Sequence, residues 1–239
     1  HNQGVLMPLK AQDLKQVADS SFDEIQRLGA EIIRIHLHPA DFTDAKGNLV
    51  QTIWLDMLDY TISQAQNRGI YIYLTLLNHL DHDGTQFPYD RRSFAAKYTR
   101  DQWMLHHQAV AATKLYISQL LNRRNPYNGQ LYKSHAALAV LELINEPAYH
   151  QFEKWQLDNR DGTRDQFDQW MYTNTKGYID QFVSLLRAEG ITQPVVWNCG
   201  WPRLITKNRA AFRGISESNV DAVSFCLYPG QSDLKVPFW

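Results

Sequence analysis

The stretch that decides the fold is ALAVLELINEP, residues 137–147. Residues 137–144 are apolar apart from Glu142, which is typical of a strand in a parallel sheet that is covered on both faces. The polar residues Asn145 and Glu146 follow directly, and Pro147 cannot prolong the strand ladder because it lacks a backbone N–H. The pattern predicts a buried parallel strand that ends in two polar side chains.

On both sides of this stretch, short apolar strands alternate with helices. Strands are predicted at residues 31–37, 70–77, 137–144, 194–198 and 221–228. Helices are predicted at residues 53–68, 102–123 and 166–189. An earlier helix is predicted to begin at Ser21, which has the capping-box spacing to Glu24, and to end at Gly29. Long polar loops, residues 78–99 and 148–164, follow two of the strands. Helices between strands indicate parallel βαβ units.

Such units assemble into one of two architectures, an open doubly wound sheet or a closed (β/α)8 TIM barrel. No glycine-rich phosphate loop follows any strand, and the long loops come after strands, so the barrel is favoured. About strands 2–6 of the eight are evident, and only residues 5–9 could belong to an earlier one. We therefore expect residues 1–239 to form one partial barrel and to be a portion of a longer chain.

Composition excludes several classes of function. The formal net charge of −1 predicts neither nucleic-acid binding nor attraction to a membrane surface, and no apolar run is long enough to span a bilayer. Cys199 and Cys226 are interpreted as small buried side chains, although a bridge between strand ends stays open. His36 and His38 alternate on one strand, but we expect no metal and no cofactor. Among the 7 Trp and 12 Tyr, most should fill the core and some could line a sugar-binding cleft.

The central motif resembles that of a known enzyme family. LELINEP, residues 141–147, is similar to the fourth-strand signature of glycoside hydrolase family 5, a family of clan-A barrels that includes cellulases and β-mannanases. NPYNG at residues 125–129 and SHAAL at 134–138 resemble the lead-in to this motif in mannanase-like members, and LGAEIIRI at 28–35 resembles the passage into the second strand. The resemblance runs from about residue 22 to 228. It implies a retaining β-glycosidase that acts on β-linked glucan or mannan, a monomer that is secreted or periplasmic, although no signal peptide is visible.

Glycoside hydrolysis requires one carboxyl group that protonates the leaving oxygen and a second that attacks the anomeric carbon or activates water. The resemblance implies that Glu146 is the catalytic acid/base and that Asn145 binds substrate beside it. It also implies that Arg34 orients the nucleophile, with an ion pair to Glu142 as the alternative. Tyr228 matches the sixth-strand tyrosine that hydrogen-bonds the nucleophile, with core packing as its alternative.

Three further positions are candidates for substrate binding. Asn78 or His79 falls where family members place a substrate-binding histidine, with a solvated loop histidine as the alternative. His36 is expected at the barrel mouth as a substrate contact or a polar filler. Trp197 lies near the end of the predicted strand 194–198, where it could serve as a sugar platform or pack in the core.

Two departures from the family pattern limit the assignment. Cys226 stands where members often carry histidine, and no glutamate matches the seventh-strand nucleophile. Glu142 lies about 13 Å deeper along its strand than Glu146, beyond the roughly 5 Å that separates a retaining pair. Asp221 begins its strand and so belongs to the opposite end of the barrel. The alternatives are a non-catalytic carbohydrate-binding barrel and, less favoured, an unrelated phosphate-binding isomerase barrel.

Overall fold

The computed structural model describes residues 11–78, 93–200 and 208–226, apart from the side chains of residues 100 and 101. Five strands in these ranges form one parallel sheet in which each strand pairs with the next along the chain. They are β1 (Ile32–His36), β2 (Tyr71–Thr75), β3 (Leu138–Glu142), β4 (Val195–Asn198) and β5 (Ala222–Ser224). All five predicted strands are present, each one shorter than the apolar run that predicted it.

Helices separate the strands along the chain. They are α1 (Ala11–Arg27), α2 (Ile53–Asn67), α3 (Phe94–Lys97), α4 (Arg100–Leu105), α5 (His107–Leu121), α6 (Phe152–Gln156), α7 (Arg164–Ala188) and α8 (Arg209–Ser216). The strand order follows the chain order without the reversal that marks a doubly wound sheet, so the predicted (β/α) barrel is confirmed as an arc of five strands. Among the described helices, none combines the length and apolarity needed to cross a bilayer.

The two faces of the sheet differ in polarity. Ile72 and Leu74 of β2 are fully buried in the hydrophobic core that includes residues of the surrounding helices. Tyr73 and Thr75 point to the opposite face, where both donate hydrogen bonds to the Glu142 carboxylate. Because side chains alternate along a strand, the apolar core lies between sheet and helices, and polar groups fill the barrel interior.

The predicted start of the first helix at Ser21 is wrong. The helix α1 runs from Ala11 to Arg27, so Ser21 lies in its interior. The Ser21 hydroxyl donates to the Val17 carbonyl at 2.8 Å, one helical turn earlier, instead of capping a helix end. A capping-box spacing therefore occurs here inside a continuous helix.

The predicted helix over residues 102–123 is two helices. His106 ends α4 and begins α5 with an extended backbone, ψ 117°. The His106 ring packs between Tyr98 and His107, with ring centroids 4.8 and 5.1 Å away. In addition, the short helices α3 and α6 lie within the segments predicted as loops, and α8 lies between β4 and β5.

One buried ion pair anchors the chain that leads into β3. Asp59 of α2 is fully buried and accepts hydrogen bonds from Arg123 Nε at 2.8 Å and from the Tyr132 hydroxyl at 2.8 Å. Arg123 follows α5, and Tyr132 begins the short 3-10 turn before β3. The pair therefore ties helix α2 to the entry of the strand that carries Glu146.

Removal of this carboxylate is expected to destabilise the fold. The variant Asp59→Ala should lower the free energy of unfolding by about 3 kcal/mol, because Arg123 would keep its charge in a partly buried place without a carboxylate to balance it. Denaturant unfolding followed by circular dichroism measures this difference. The control is Asp168→Ala, which breaks the exposed Arg164–Asp168 pair and should cost less than about 0.5 kcal/mol. Equal losses in the two variants would contradict the expectation.

Candidate active site

A single buried carboxylate, Glu142, joins four strands inside the barrel. It is fully buried and accepts hydrogen bonds from Thr75 Oγ1 at 2.9 Å, the Tyr73 hydroxyl at 2.7 Å and Ser224 Oγ at 3.0 Å, and it forms an ion pair with Arg34. These donors belong to β1, β2 and β5. Burial raises the pKa of Tyr73, so its hydroxyl stays protonated and donates. With both oxygens occupied, Glu142 acts as a structural anion.

The ion pair between Arg34 and Glu142, which the sequence left as an alternative, is present. Burial lowers the pKa of Arg34, but the hydrogen bond and the charge of Glu142 outweigh it, so this pKa lies above its ordinary value. The same guanidinium also donates to Asn145 Oδ1 at 2.8 Å. Arg34 thus connects the barrel interior to the end of β3, next to Glu146.

A line of polar contacts continues from Asn145 across the strand ends. Asn145 Nδ2 donates to Asn78 Oδ1 at 3.0 Å, and Asn78 Nδ2 lies 3.0 Å from His38 Nε2. Residues Asn78 and Asn145 also form an isolated parallel bridge beyond the ends of β2 and β3. Of the two predicted positions at this place, Asn78 is thus built into the strand ends, whereas His79 lies outside the described residues, as Tyr228 does.

Glu146 has an unusual main-chain conformation. Its φ of 43° is the only positive φ at a residue other than glycine in the described part of the chain. Such a conformation costs roughly 1–2 kcal/mol for a residue with a Cβ atom and persists only where the surroundings enforce it. The Glu146 N–H donates to Asn198 Oδ1 at 3.3 Å, and the residue is half-buried. A strained carboxylate at the carboxyl end of a barrel strand is a typical position for a catalytic group.

His36 shares this end of the barrel with Glu146. Burial lowers the pKa of His36 and the Arg34 charge lowers it further, while the carboxylates of Glu142 and Glu146 act in the opposite direction. The neutral form of His36 is therefore favoured at neutral pH. Because side chains alternate along a strand, His36 lies on the same inner face of β1 as Arg34, at the carboxyl end of the strand.

The expectation that Trp197 forms a sugar platform is wrong. Its side chain is fully buried, its ring packs edge-on against Tyr178 of α7 with centroids 6.1 Å apart, and Nε1 donates to the Tyr149 hydroxyl at 3.2 Å. The neighbouring residue Asn198 points into the barrel, and side chains alternate along a strand, so Trp197 faces the helix layer. Core packing, the alternative for Trp197, is what the structure contains.

Two residues of this site were not singled out by the sequence. Asn198 of β4 and Ser224 of β5 contact each other at 3.1 Å, and through them Glu146 is linked to Glu142. In the sequence, the only indication of a role for Asn198 and Ser224 is that each is a polar residue in an otherwise apolar strand. Cys226, at the position where a histidine was expected, lies with its Sγ 3.5 Å from Asn198 Nδ2 and forms no disulfide with Cys199.

The described residues include no second carboxylate with an evident role beside Glu146. Glu142 is engaged by its four donors, and Asp221 precedes β5 at the opposite end of the barrel, where it pairs with Arg187 and accepts from the Val195 N–H. Within the same ranges, no group of three or more histidine, cysteine, aspartate or glutamate side chains converges on a point that could hold a metal ion.

An open groove adjoins the site between β1 and α2, and His36, His38, Asp41 and Trp54 line part of it. Burial raises the pKa of Asp41 to about 6, from an ordinary value of 3.8. A carboxyl group whose pKa is raised by folding stabilises the native state below its unfolded pKa, and this contribution is lost as the pH rises through about 6.

Replacement of Asp41 should therefore have a pH-dependent effect on stability. Relative to the wild type, Asp41→Asn is expected to gain on the order of 1 kcal/mol in stability between pH 4 and pH 7, because the variant never ionises in this partly buried place. Thermal unfolding at several pH values measures the trend. Asp44→Asn is the control of opposite sign, since the hydrogen bond from Asn48 lowers the pKa of Asp44 and the wild type gains stability as the pH rises. Parallel curves for Asp41→Asn and wild type would contradict the prediction.

The strain at Glu146 predicts an inverted preference between alanine and glycine. Glu146→Gly should be more stable than Glu146→Ala by about 1 kcal/mol, because glycine adopts positive φ without steric cost. At Gln169, an exposed position in α7, the order should reverse by about the same amount, since glycine weakens a helix. The free energies of unfolding of the four variants test this prediction. If alanine is more stable than glycine at both positions, Glu146 is not strained.

Comparisons with known proteins agree with this architecture. No family model matches the chain. Mannan endo-1,4-beta-mannosidase 4 of Oryza sativa subsp. japonica is 30% identical over 93 residues, which cover 38% of this chain and 20% of the rice protein. Mannan endo-1,4-beta-mannosidase A of Podospora anserina is 26% identical over 146 residues, which cover 54% of this chain and 35% of the fungal protein. The chain thus spans only a minor part of the length of these relatives.

Among solved structures, the endo-1,4-beta-mannanase of Rhizomucor miehei superposes with a TM-score of 0.63. The identity is 21%, and the match covers 94% of this chain and 65% of the fungal enzyme. At this identity the likeness concerns the fold, and it confirms the barrel. The chain therefore has the barrel fold of this mannanase and is similar in sequence to mannan endo-1,4-beta-mannosidases, as its resemblance to glycoside hydrolase family 5 predicted.

Proposed function

We propose that the protein containing this chain is a retaining glycoside hydrolase that cleaves β-1,4-linked mannan, with Glu146 as its general acid/base. One observation carries the proposal: a strained, half-buried glutamate lies at the carboxyl end of a barrel strand, in a chain similar to mannan endo-1,4-beta-mannosidases. Catalytic groups of this architecture come from that end of the barrel. A second class of function, a carbohydrate-binding barrel without catalysis, is separated from this one by the activity test below.

In the proposed reaction, Glu146 gives its proton to the glycosidic oxygen as the bond to the anomeric carbon breaks. A carboxylate nucleophile, which we do not assign to a residue of this chain, forms the covalent glycosyl intermediate. Glu146, now ionised, takes a proton from water as the water attacks the anomeric carbon, and the sugar leaves with retained configuration. Each step returns Glu146 to the protonation state that the next step requires.

The neighbouring residues have supporting roles in this proposal. Arg34, held by Glu142, fixes Asn145, whose second amide proton is directed to a sugar hydroxyl. His36 and Asn78 line the mouth of the barrel, where His36 in its neutral form can accept or donate one hydrogen bond to substrate. His79 and Tyr228 stay predicted substrate-binding residues by resemblance. Secretion and a monomeric state also stay predictions.

Replacement of the acid/base tests the proposal. In the intact protein, Glu146→Ala should lower kcat/KM on β-1,4-mannan by about 10²–10⁴-fold, because the leaving oxygen loses its proton donor. Aryl β-mannosides with good leaving groups need no such proton, so their first step should be far less affected. Azide should then partly restore turnover of these activated substrates by attacking the intermediate in place of water.

The matched control is Glu153→Ala, which removes an exposed glutamate from α6 a short distance along the chain and should leave both activities unchanged. Full activity of Glu146→Ala on mannan would refute the acid/base role. A wild-type protein that binds manno-oligosaccharides in calorimetry but releases no reducing ends would instead support the carbohydrate-binding alternative.

A further inference from the structure

We infer that Asn198 is a positioning residue that holds the main chain of Glu146 in its left-handed conformation and so aims the Glu146 carboxyl group. The inference deepens the proposed function and rests on it for its effect on catalysis. The contact itself, from Glu146 N–H to Asn198 Oδ1 at 3.3 Å, is independent of any activity.

The ladder between β3 and β4 changes character at this point. The main-chain N–H of Leu141 donates to Pro194, and that of Leu143 donates to Val196, each at 3.0 Å. The next N–H in this alternating series, that of Asn145, points away from β4 and donates to the Leu77 carbonyl at 2.8 Å. Beyond this turn, the link between the two chain segments is made by a side chain of β4 that reaches the Glu146 main chain.

Asn198 is itself fixed from all sides. It is 1% exposed, and its Oδ1 also accepts the Gly200 N–H at 2.7 Å. Its Nδ2 donates to Ser224 Oγ at 3.1 Å and lies 3.5 Å from Cys226 Sγ. Two main-chain donors on one side and the acceptor Ser224 on the other define which end of the amide carries oxygen. The amide therefore has one orientation, and its oxygen is directed at Glu146.

A positive φ at glutamate needs such a restraint. Without an acceptor for its N–H, the Glu146 main chain would relax toward ordinary φ values, and the carboxyl group would move with it. A displacement of about 1 Å of a reacting group costs on the order of 100-fold in rate. Loss of the Asn198 side chain should consequently reduce turnover although Asn198 itself does not contact the reacting atoms.

The chain offers a matched control in Asn125. This residue is also fully buried, accepts the Tyr127 N–H at 2.9 Å through Oδ1, and donates to the Asp59 carbonyl at 2.8 Å through Nδ2. It precedes β3 and so lies at the end of the strand opposite to Glu146. Loss of Asn125 should weaken the fold in a similar way without touching the Glu146 main chain.

Amide hydrogen exchange, resolved to the Glu146 N–H by NMR or by overlapping peptides, tests the contact directly. In Asn198→Ala this amide should exchange about tenfold faster than in the wild type, as expected for the loss of one hydrogen bond. In Asn198→Asp, which keeps an acceptor oxygen at the same place, protection should be largely retained. In Asn125→Ala it should be unchanged. If the Glu146 amide exchanges at the wild-type rate in both Asn198→Ala and Asn198→Asp, the inference is overturned.

Kinetics of the same variants in the intact protein separate this inference from the proposed function. On β-1,4-mannan, kcat of Asn198→Ala should fall by about 100-fold with little change in KM, whereas Asn125→Ala should lose activity only in proportion to its unfolded fraction. Mannan hydrolysis that survives intact in folded Asn198→Ala would sink the inference and leave the function standing. Absence of hydrolysis in the wild type would sink the function, and the exchange experiment would still decide the role of Asn198.

Discussion

The Glu142 carboxylate is the charge around which the described strands are arranged. A buried carboxylate without partners costs several kcal/mol, so its donors from β1, β2 and β5 must all be in place when the sheet assembles around it. Side chains alternate between the two faces of a sheet, and a slip of one residue would turn any of these donors away from Glu142. The need to satisfy this one group therefore favours one register for β1, β2 and β5 relative to β3.

That register decides what lies at the barrel mouth. The Nη2 group of Arg34 donates both to the Glu142 carboxylate and to Asn145 Oδ1, so the interior charge is coupled to the residue before Glu146. On the other side, Ser224 donates to Glu142 and accepts from Asn198, which in turn holds the Glu146 N–H. Asn145, which precedes Glu146, and Asn198, which accepts from its N–H, are thus each linked to Glu142 through one intermediate residue. The strained conformation of Glu146 can persist because the residues around it are held by hydrogen bonds that lead to Glu142 in the barrel interior.

Much of the architecture could be predicted from local patterns. The apolar runs around Ile72, Leu141 and Val195 are strands because buried parallel strands need apolar side chains on both faces, and this requirement is visible in the sequence. Helix ends were harder to predict. Ser21 has the spacing of a helix start but lies inside α1, since its hydroxyl can bond to the preceding turn. His106 interrupts a helical pattern with an extended backbone, and its ring contacts Tyr98 and His107; hydrophobic periodicity does not report such a break.

By itself, the sequence determined the fold class, the strands and the location of Glu146 and Asn145 at a strand end, because these follow from hydrophobic periodicity and from one short motif. Only the tertiary structure decided that Trp197 faces the helices, that Arg34 pairs with Glu142, and that Asn198 reaches Glu146. The physical reason is common to all three. Which face of a strand points inward, and which residue of the next strand lies beside it, depends on the pairing register, and register is a property of the assembled sheet.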